Sequence, residues 1–216
     1  MTSERATVFV VDDDASVRKA LARSIEAAGL NVRTFASARD FLGQGLPKGP
    51  GCLVLDLRLP GLSGLDLQTE LNSRNVQMPI IFITGHGNIP VTVKAMKGGA
   101  VDFLPKPFNV KDLLRVIREA IKKDERLQAS RAENSVVQRR IQTLTPRERE
   151  VLGLVVKGLL NKQIAAELGA AERTVKVHRG RVMQKMQVQS VADLVRAVER
   201  VKAEGKSPPA HSTNVP

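Results

Sequence analysis

Along the first 108 residues, short β-branched runs alternate with segments whose apolar positions repeat every three or four residues. The helical pattern is clearest in SVRKALARSIEAAG, where Val17, Leu21, Ile25 and Ala28 share one face. The runs with strand composition are TVFVVD, NVRTF, CLVLD, PIIFIT and VDFLP. Strands that alternate with helices predict a parallel sheet with helices on both faces. An α/β domain with five parallel strands is therefore predicted.

A long helical segment follows this pattern. It starts near Lys111 and contains no Gly or Pro before Pro146. After Ile121 its apolar spacing lapses into polar residues. We therefore predict a first domain over residues 1–122 and a polar helical linker over residues 123–142.

The last part of the chain has a purely helical pattern. Residues 143–203 hold four helical segments, with short breaks at Gly158, Gly169 and about Gln187. This pattern predicts an all-α, four-helix domain. The tail, residues 204–216, combines turn-forming residues with no apolar periodicity, so we predict that it is disordered.

Composition and charge narrow the class of protein. With 42% hydrophobic residues, the chain has no apolar run near the roughly 18 residues of a membrane span and no signal segment, so we expect a soluble, cytoplasmic protein. Its one cysteine, Cys52, lies in an apolar run and is expected to be buried and without a chemical role. Residues 1–108 hold 12 Lys/Arg and 10 Asp/Glu, whereas residues 109–216 hold 22 and 12. This basic second half suits a nucleic-acid partner, although solvated helix faces have the same composition.

Acidic and polar residues follow the predicted strands. An acidic run at 12–14 follows the first strand, Asp56 ends the third, Thr84 ends the fourth and Lys106 follows the fifth. In open parallel sheets the carboxyl ends of the strands share one edge, where ligands bind. We therefore expect these side chains to converge.

The residue types at this edge suit phosphoryl transfer. Clustered carboxylates repel one another unless a cation joins them, and hard oxygen ligands with open positions suit Mg²⁺. Asp56 is the candidate nucleophile, because a carboxylate can accept a phosphoryl group as an aspartyl-phosphate. The metal ion, Lys106 and the Thr84 hydroxyl would neutralise the phosphoryl oxygens.

Four segments in this order and spacing resemble the receiver domain of two-component response regulators. They are VDDD at 11–14, DLRLPG at 56–61, ITGHG at 83–87 and KPF at 106–108. The resemblance covers about residues 1–122. It implies a flavodoxin-like, doubly wound five-stranded sheet, Mg²⁺ as cofactor and a sensor histidine kinase as phosphoryl donor.

The resemblance also implies roles for single residues. It makes Asp56 the phosphoacceptor, with Thr84 and Lys106 as phosphate contacts. Phe103 and Thr84 are the implied switch residues, and a cis bond is implied between Lys106 and Pro107. The implied Mg²⁺ ligands are Asp12, Asp13, Asp56 and the main-chain carbonyl of Arg58.

Some residues in these segments also fit ordinary structural roles. Asp14 is better placed to cap the first helix than to bind metal. His86 is a lone loop histidine, more typical of a structural or solvated residue than of a catalytic one. Phe103 and Val101 also suit a hydrophobic core, and the turn at 60–61 could be an ordinary one.

A helix-turn-helix pattern follows the linker. Thr145 and Glu148, with Pro146 between them, have the spacing of a capping box, which predicts a helix start. Asn161 is predicted to cap the second helix of this domain, and the third helix is predicted to begin near Glu172.

The third helix has two different faces. From Arg173 to Lys185 there are five basic residues and no acidic one, which is typical of a recognition helix in the major groove. His178 falls on the apolar side, where we predict a satisfied core histidine. The other residues of that side are Val175, Arg179, Val182 and Met186. The predicted exposed side consists of Arg173, Lys176, Val177, Gly180, Arg181 and Gln184.

The segment LTPREREVLGLVVKGLLNKQIAAELGAAERTVKVHRGRVMQKM resembles the LuxR-type helix-turn-helix, and with the receiver it is similar to FixJ-like (NarL/FixJ) response regulators. The resemblance spans about residues 142–203 and implies Lys176 and Val177 as base readers. Ala171 stands where the family usually has a Ser or Thr cap, and Gly180 where a DNA-facing side chain is usual. The other candidate DNA contacts are Asn161, Lys162, Arg173, Thr174 and Arg181.

Three function classes stay open from the residues alone. The favoured class is a phosphorylation-controlled transcription factor, not an enzyme, which binds promoter DNA as a homodimer when phosphorylated and has RNA polymerase as a further candidate partner. The second is an Asp-nucleophile enzyme such as a dehalogenase-like phosphatase. Those enzymes carry the pattern D-x-D-x-T at the end of the first strand, whereas this chain has VVDDDAS there. The third, a receiver with a protein-binding output, is disfavoured by the basic recognition helix.

Overall fold

The computed structural model of the protein describes residues 6–45, 49–85 and 89–205. The chain divides into two compact units, and the division falls between Gln128 and Ala129. Among the described residues, no helix is both long enough and apolar enough to cross a lipid bilayer.

The first unit is built on a five-stranded parallel sheet. The strands are β1 (Thr7–Val11), β2 (Asn31–Phe35), β3 (Gly51–Asp56), β4 (Ile80–Thr84) and β5 (Asp102–Pro105). Their order across the sheet is β2-β1-β3-β4-β5, and every neighbouring pair is parallel. This is the flavodoxin-like, doubly wound order, with the chain reversing direction across the sheet at β1 and β3. The predicted fold class is confirmed.

Helices cover both faces of the sheet. They are α1 (Ala15–Ala27), α2 (Ala38–Gly43), α3 (Gly64–Ser73), α4 (Ile89–Lys97) and α5 (Val110–Gln142). Alternate residues of β1 enter two separate cores, because successive strand side chains point to opposite faces. Val8 and Val10 pack with the α1 and α5 side, whereas Phe9 and Val11 pack with the α2 and α3 side.

The central strands are the most buried part of the first unit. Every residue of β3 and β4 is buried, as expected for strands covered on both faces. Cys52, on β3, is 0% exposed, and burial raises the pKa of its thiol to about 12. Burial of Cys52 agrees with its place in an apolar run.

Helix α2 was not predicted. It has six residues, which is too short for a helical repeat of apolar positions to stand out. Its start is nevertheless local, because the Ser37 hydroxyl accepts a hydrogen bond from Asp40 N at 3.1 Å.

Helix α5 is 33 residues long and includes the whole of the predicted linker. The polar residues after Ile121 continue its buried stripe: Asp124 is 3% exposed, and its Oδ2 accepts a hydrogen bond from Gly51 N at 2.9 Å. Gln128 Nε2 donates to Gly49 O at 3.0 Å and to Asp124 Oδ2 at 2.8 Å. The helical prediction is confirmed, and this part of the linker belongs to the packing of the first unit.

The second unit is helical throughout its described length. After the end of α5 it contains α6 (Pro146–Val156), α7 (Asn161–Leu168), α8 (Glu172–Met186) and α9 (Val191–Gly205). The predicted breaks are confirmed, and Gly158, Gly169 and Gln187 all have positive φ angles of 86°, 58° and 54°. Residues 206–216, most of the tail that we predict to be disordered, lie outside the described residues.

Candidate functional site

Three carboxylates meet at the carboxyl edge of the sheet. Asp12 directly follows β1, and Asp56 ends β3, the neighbouring strand. Together with Asp13 they offer ligand oxygens that all lie within 4.8 Å of one another. Asp12 is 0% and Asp56 7% exposed, while Asp13 is open to solvent. The predicted convergence of these residues is confirmed.

Lys106 lies between two of these carboxylates. Its Nζ donates to Asp12 Oδ2 at 2.7 Å and to Asp56 Oδ2 at 2.8 Å. Burial raises the pKa of Asp12, an effect that the hydrogen bond from Lys106 opposes. Desolvation lowers the pKa of Lys106, but its bonds to the two carboxylates outweigh this and raise that pKa above its ordinary value. One ammonium therefore faces three carboxylates, and a divalent cation would complete the charge balance.

Backbone groups fix the orientation of the two buried carboxylates. Asp14 N donates to Asp12 Oδ1 at 2.9 Å, and Arg58 N donates to Asp56 Oδ1 at 3.0 Å. Arg18, which the sequence analysis missed, donates from Nη1 to the Asp12 carbonyl at 2.7 Å. Its only sequence signal is its position on the first helix, one turn after the acidic run.

Asp14 does not join the carboxylate cluster. It is the N-cap of α1, and its side chain accepts hydrogen bonds from Ser16 N and Val17 N. These bonds, and that of the Ser16 hydroxyl first of all, lower the pKa of Asp14. The capping interpretation is confirmed. His86 lies outside the described residues.

Thr84 and Phe103 lie on the adjacent strands β4 and β5. Thr84 ends β4, is 1% exposed, and its carbonyl accepts a hydrogen bond from Lys106 N at 2.7 Å. The peptide bond between Lys106 and Pro107 is cis, as predicted. Phe103 is half-buried, with its ring centroid 6.4 Å from that of Phe82, so it packs on the core. A switch role for Phe103 stays a prediction.

The two predicted faces of α8 are confirmed. Val175, Val182 and Met186 are buried, while His178 and Arg179 are half-buried. All six residues of the predicted outer face are exposed, namely Arg173, Lys176, Val177, Gly180, Arg181 and Gln184. Val177, at 48% exposure, is a large apolar side chain on an otherwise basic and polar surface. That surface is suited to a DNA groove.

Helix starts in this unit agree with the sequence in two cases and disagree in one. The capping box at Thr145 and Glu148 is formed, and Ala171 begins α8 without a side-chain cap. The prediction that Asn161 caps α7 is wrong. Leu160 is the N-cap residue, and Gln163 Oε1 accepts from its N–H at 2.8 Å.

The remaining DNA candidates on α7 and α8 differ in exposure. Asn161 is half-buried, and its Oδ1 accepts from Arg179 Nη1 at 2.8 Å, so this oxygen already has a partner within the unit. Lys162 and Thr174 are exposed. The prediction of a satisfied histidine is wrong for His178, because its buried Nδ1 has no hydrogen-bond partner among the described residues.

Sequence reasoning also missed the contacts at the C-terminal end of α8. Lys185 Nζ donates to Glu148 Oε2 at 2.6 Å and to Thr143 O at 3.2 Å. Arg140, in the last turn of α5, donates to Met186 O at 3.1 Å and to the Gln187 side chain. These pairs are up to 47 residues apart, so no local pattern could indicate them.

Two families of known proteins match this chain. Residues 8–118 match the family "Response regulator receiver domain", and residues 142–198 match "Bacterial regulatory proteins, luxR family". The chain is a LuxR-type response regulator. Nodulation protein W of Bradyrhizobium diazoefficiens is 53% identical over 91% of the chain and 87% of that protein. Response regulator protein TmoT of Ectopseudomonas mendocina is 46% identical over 94% and 92%.

Solved structures give the same result for this response regulator. A low-resolution structure of the response regulator StyR has a TM-score of 0.81 and 49% identity, covering 91% of the chain and all of that protein. Full-length FixJ from B. japonicum has a TM-score of 0.56 and 40% identity over 94% and 99%. Two of the relatives, TmoT and the Transcriptional regulatory protein FixJ of Azorhizobium caulinodans, are named as a response regulator and a transcriptional regulator. The two domains imply a sensor kinase and DNA as partners.

Proposed function

We propose that this response regulator is a transcription factor whose DNA binding is switched by phosphorylation of Asp56. The observation that carries the proposal is the position of Lys106 Nζ, 2.7 Å from Asp12 and 2.8 Å from Asp56, inside a cluster of three carboxylates. A carboxylate can act as the nucleophile in phosphoryl transfer, and a fixed ammonium beside it would neutralise charge on the phosphoryl oxygens.

Asp56 accepts the phosphoryl group. One of its carboxylate oxygens attacks the phosphorus of a phosphohistidine on the sensor kinase, the new O–P bond forms, and the electron pair of the broken P–N bond leaves with the imidazole. Lys106 Nζ bonds Oδ2 of Asp56 at 2.8 Å and is placed to contact the phosphate, with Thr84 at the end of the adjacent strand as the second contact. Removing the phosphoacceptor oxygen should therefore abolish labelling.

The acidic cluster suits Mg²⁺. Its donors are hard oxygen atoms and its charge exceeds what Lys106 offers, so Asp12, Asp13, Asp56 and the carbonyl of Arg58 are the proposed ligands. When bound, Mg²⁺ neutralises charge on the phosphoryl oxygens. A bound phosphate would draw Thr84 and Lys106 toward it, and Phe103 would fill the space that Thr84 leaves.

The output of the switch is a dimer on DNA. We propose that the surface from α4 to α5, about residues 90–121, pairs two phosphorylated copies and brings their α8 helices to adjacent half-sites about 34–36 Å apart. Lys176 and Val177 then read base edges, and Asn161, Lys162 and Thr174 approach the backbone. Further contacts on this face are Arg173 and Arg181. RNA polymerase is a further proposed partner, and the cytoplasm is the proposed location.

The proposed domain bounds follow the predicted ones with one change. The receiver extends past residue 122 as far as Gln128, because Asp124 bonds the first residue of β3 and Gln128 bonds Gly49, two residues before that strand. The rest of the linker ends at residue 142, and the DNA-binding domain covers residues 143–203.

Labelling with a small phosphodonor tests the proposed function. We expect radioactive acetyl phosphate to label the full chain in Mg²⁺ and not in EDTA, and Asp56→Asn to remove the label. Asp40→Asn, which removes an exposed carboxylate of α2, is the matched control and should label normally. Retained labelling of Asp56→Asn would contradict the assignment. Capture of promoter fragments with and without acetyl phosphate then links the modification to DNA binding.

A further inference from the structure

The recognition helix α8 is held by charged side chains at its C-terminal end. Arg140 Nη1 donates to the carbonyl of Met186 at 3.1 Å, and Nη2 donates to Gln187 Oε1. Lysine and arginine are favourable at this position because the last carbonyls of a helix have no partner within it and carry partial negative charge.

Gln187 closes this end of α8 in a backbone conformation that favours glycine. Its φ angle is 54°, in the left-handed region, and its N–H donates to Gln184 O at 3.1 Å. A glutamine adopts this left-handed backbone conformation less readily than a glycine, because its Cβ crowds the backbone. What it adds is a side-chain amide, and Arg140 binds that amide.

Lys185 gives independent support from the same turn of α8. Its ammonium bonds the Glu148 carboxylate, which is 2% exposed, and the Thr143 carbonyl, one residue beyond the end of α5. The last turn of α8 is thus bound both to the end of α5 and to the start of α6. At the other end, Ala171 provides no side-chain cap.

This asymmetry matters because Lys176 and Val177, the proposed base readers, lie two to three helical turns from the contacts at Lys185 and Met186. Lys176 is ten residues before Met186, which is about 15 Å along a helix. A tilt of about 5° at the held end moves Lys176 by about 1 Å, enough to spoil a hydrogen bond whose length is confined to about 2.7–3.2 Å.

We propose that Arg140 is a positioning residue for sequence-specific DNA recognition. It touches no base, and it sets the angle of α8 from the last turn of α5 through Met186 and Gln187. The inference rests on the proposed role of α8 as the DNA-reading helix. Loss of Arg140 should therefore weaken discrimination between sequences more than it weakens binding to DNA in general.

The test compares Arg140→Ala with Arg139→Ala in the full chain. Arg139 is the exposed neighbour, so both variants lose one positive charge from the same turn. Binding is measured to an operator fragment and to a scrambled fragment over a range of salt concentrations. We expect both variants to have the same salt slope, and Arg140→Ala alone to lower the operator-to-scrambled affinity ratio by about fivefold to tenfold, as misaligned base contacts would. An unchanged ratio in Arg140→Ala would overturn the proposal.

Two further variants separate positioning from folding. Gln187→Gly suits the φ angle of 54° and removes only the amide partner, so it should lower the ratio in part while amide exchange in α8 stays as in the parent. Arg140→Lys keeps the charge but loses the planar fork and should recover the ratio only in part. If Arg140→Ala does not fold, the test rests on Gln187→Gly. An operator-to-scrambled affinity ratio in Gln187→Gly equal to that of the parent then overturns the proposal. If Lys176→Ala also leaves the ratio unchanged, the role of α8 is wrong instead.

Discussion

At the scale of single residues, the carboxylates at the carboxyl edge of the first unit outnumber the positive charges that pair with them. Lys106 divides its ammonium between Asp12 and Asp56, while Asp13 stays in solvent. A phosphoryl group on Asp56 would compete for the same ammonium, and Asp12 would lose part of its pairing. Phosphorylation is thus expected to change the electrostatics of three residues that lie on three different strand ends.

Lys176 offers the sharpest single-residue test on the DNA side. It is exposed on the outer face of α8, beside Val177. If it bonds a base edge, Lys176→Ala should weaken operator binding by about 1–3 kcal/mol and relax specificity at one position. Fluorescence anisotropy with an operator and with single-base variants measures this. An equal loss on every sequence would make Lys176 a phosphate contact.

The lowered pKa of Glu148 makes the stability of the second unit depend on pH. The hydrogen bond from Lys185, and then that from Thr145 N, lower the pKa of Glu148 below its ordinary value of 4.5. A carboxyl with a depressed folded pKa stabilises the fold above its unfolded pKa, and this stabilisation is lost as the pH falls through the folded pKa.

The variant Glu148→Gln keeps an acceptor for Thr145 N and loses the charge that pairs with Lys185. We expect it to be less stable than the parent at pH 7, and the difference to shrink as the pH falls below 4.5. Amide exchange in α6 and α8, compared between the two proteins at each pH, measures this. A difference that is the same at pH 7 and at about pH 3 would contradict the assignment.

Local residue patterns were readable from the sequence, and distant contacts were not. The capping box at Thr145 and the cap at Asp14 each depend on residues two or three positions apart. The convergence of Asp12, Asp56 and Lys106 was also predictable, because parallel topology brings strand ends together. The contacts of Arg140 with Met186 and Gln187 depend on how helices pack, which no short-range pattern encodes.

At the scale of elements, the exposed glycine of α8 is open to substitution. A Cβ built at Gly180 meets nothing within 4 Å, and its backbone is helical. Gly180→Ala should therefore stabilise α8 by about 1 kcal/mol. Urea unfolding of the full chain, followed by amide exchange in α8, measures the gain. An unchanged unfolding midpoint would contradict the prediction.

Removing a buried polar side chain of α5 should lower the stability of the first unit. Asp124 is buried and accepts the Gly51 N–H at the start of the strand that ends in Asp56. Asp124→Ala leaves a buried backbone donor without this acceptor and should destabilise the first unit by about 1–3 kcal/mol. Glu125→Ala, at the exposed next position, is the control and should change little. Equal unfolding midpoints for the two variants would contradict the assigned contact.

Element types followed from periodicity wherever the segment was long enough. The two faces of α8 and the alternation of strands and helices were predicted, whereas α2, with six residues, was not. In α5 the sequence showed polar residues where the apolar stripe should continue. Only the structure shows that Asp124 and Gln128 fill that stripe, because their partners are backbone groups with no sequence signature.

At the scale of the whole molecule, the proposed function predicts a change of assembly. We expect beryllofluoride with Mg²⁺, a mimic of the phosphoryl group, to convert the full chain from monomer to dimer and to raise its operator affinity. A basal DNA-bound fraction should remain without it, because modification only shifts an existing equilibrium. Sedimentation alongside binding curves measures both. A monomer whose affinity nevertheless rises would contradict the dimer route.

The buried thiol of Cys52 allows the opening of the first unit to be measured as a rate of chemical labelling. Thiol reagents attack the thiolate, and this side chain is 0% exposed with a pKa raised to about 12, so labelling at neutral pH waits for the sheet to open. The chain has one cysteine, so the labelling rate reports the opening of the first unit and not that of the second. Ligands that bind the folded carboxyl edge lower the population of open molecules by mass action. The slowing of Cys52 labelling by Mg²⁺ or beryllofluoride should therefore trace a binding isotherm without any engineered residue.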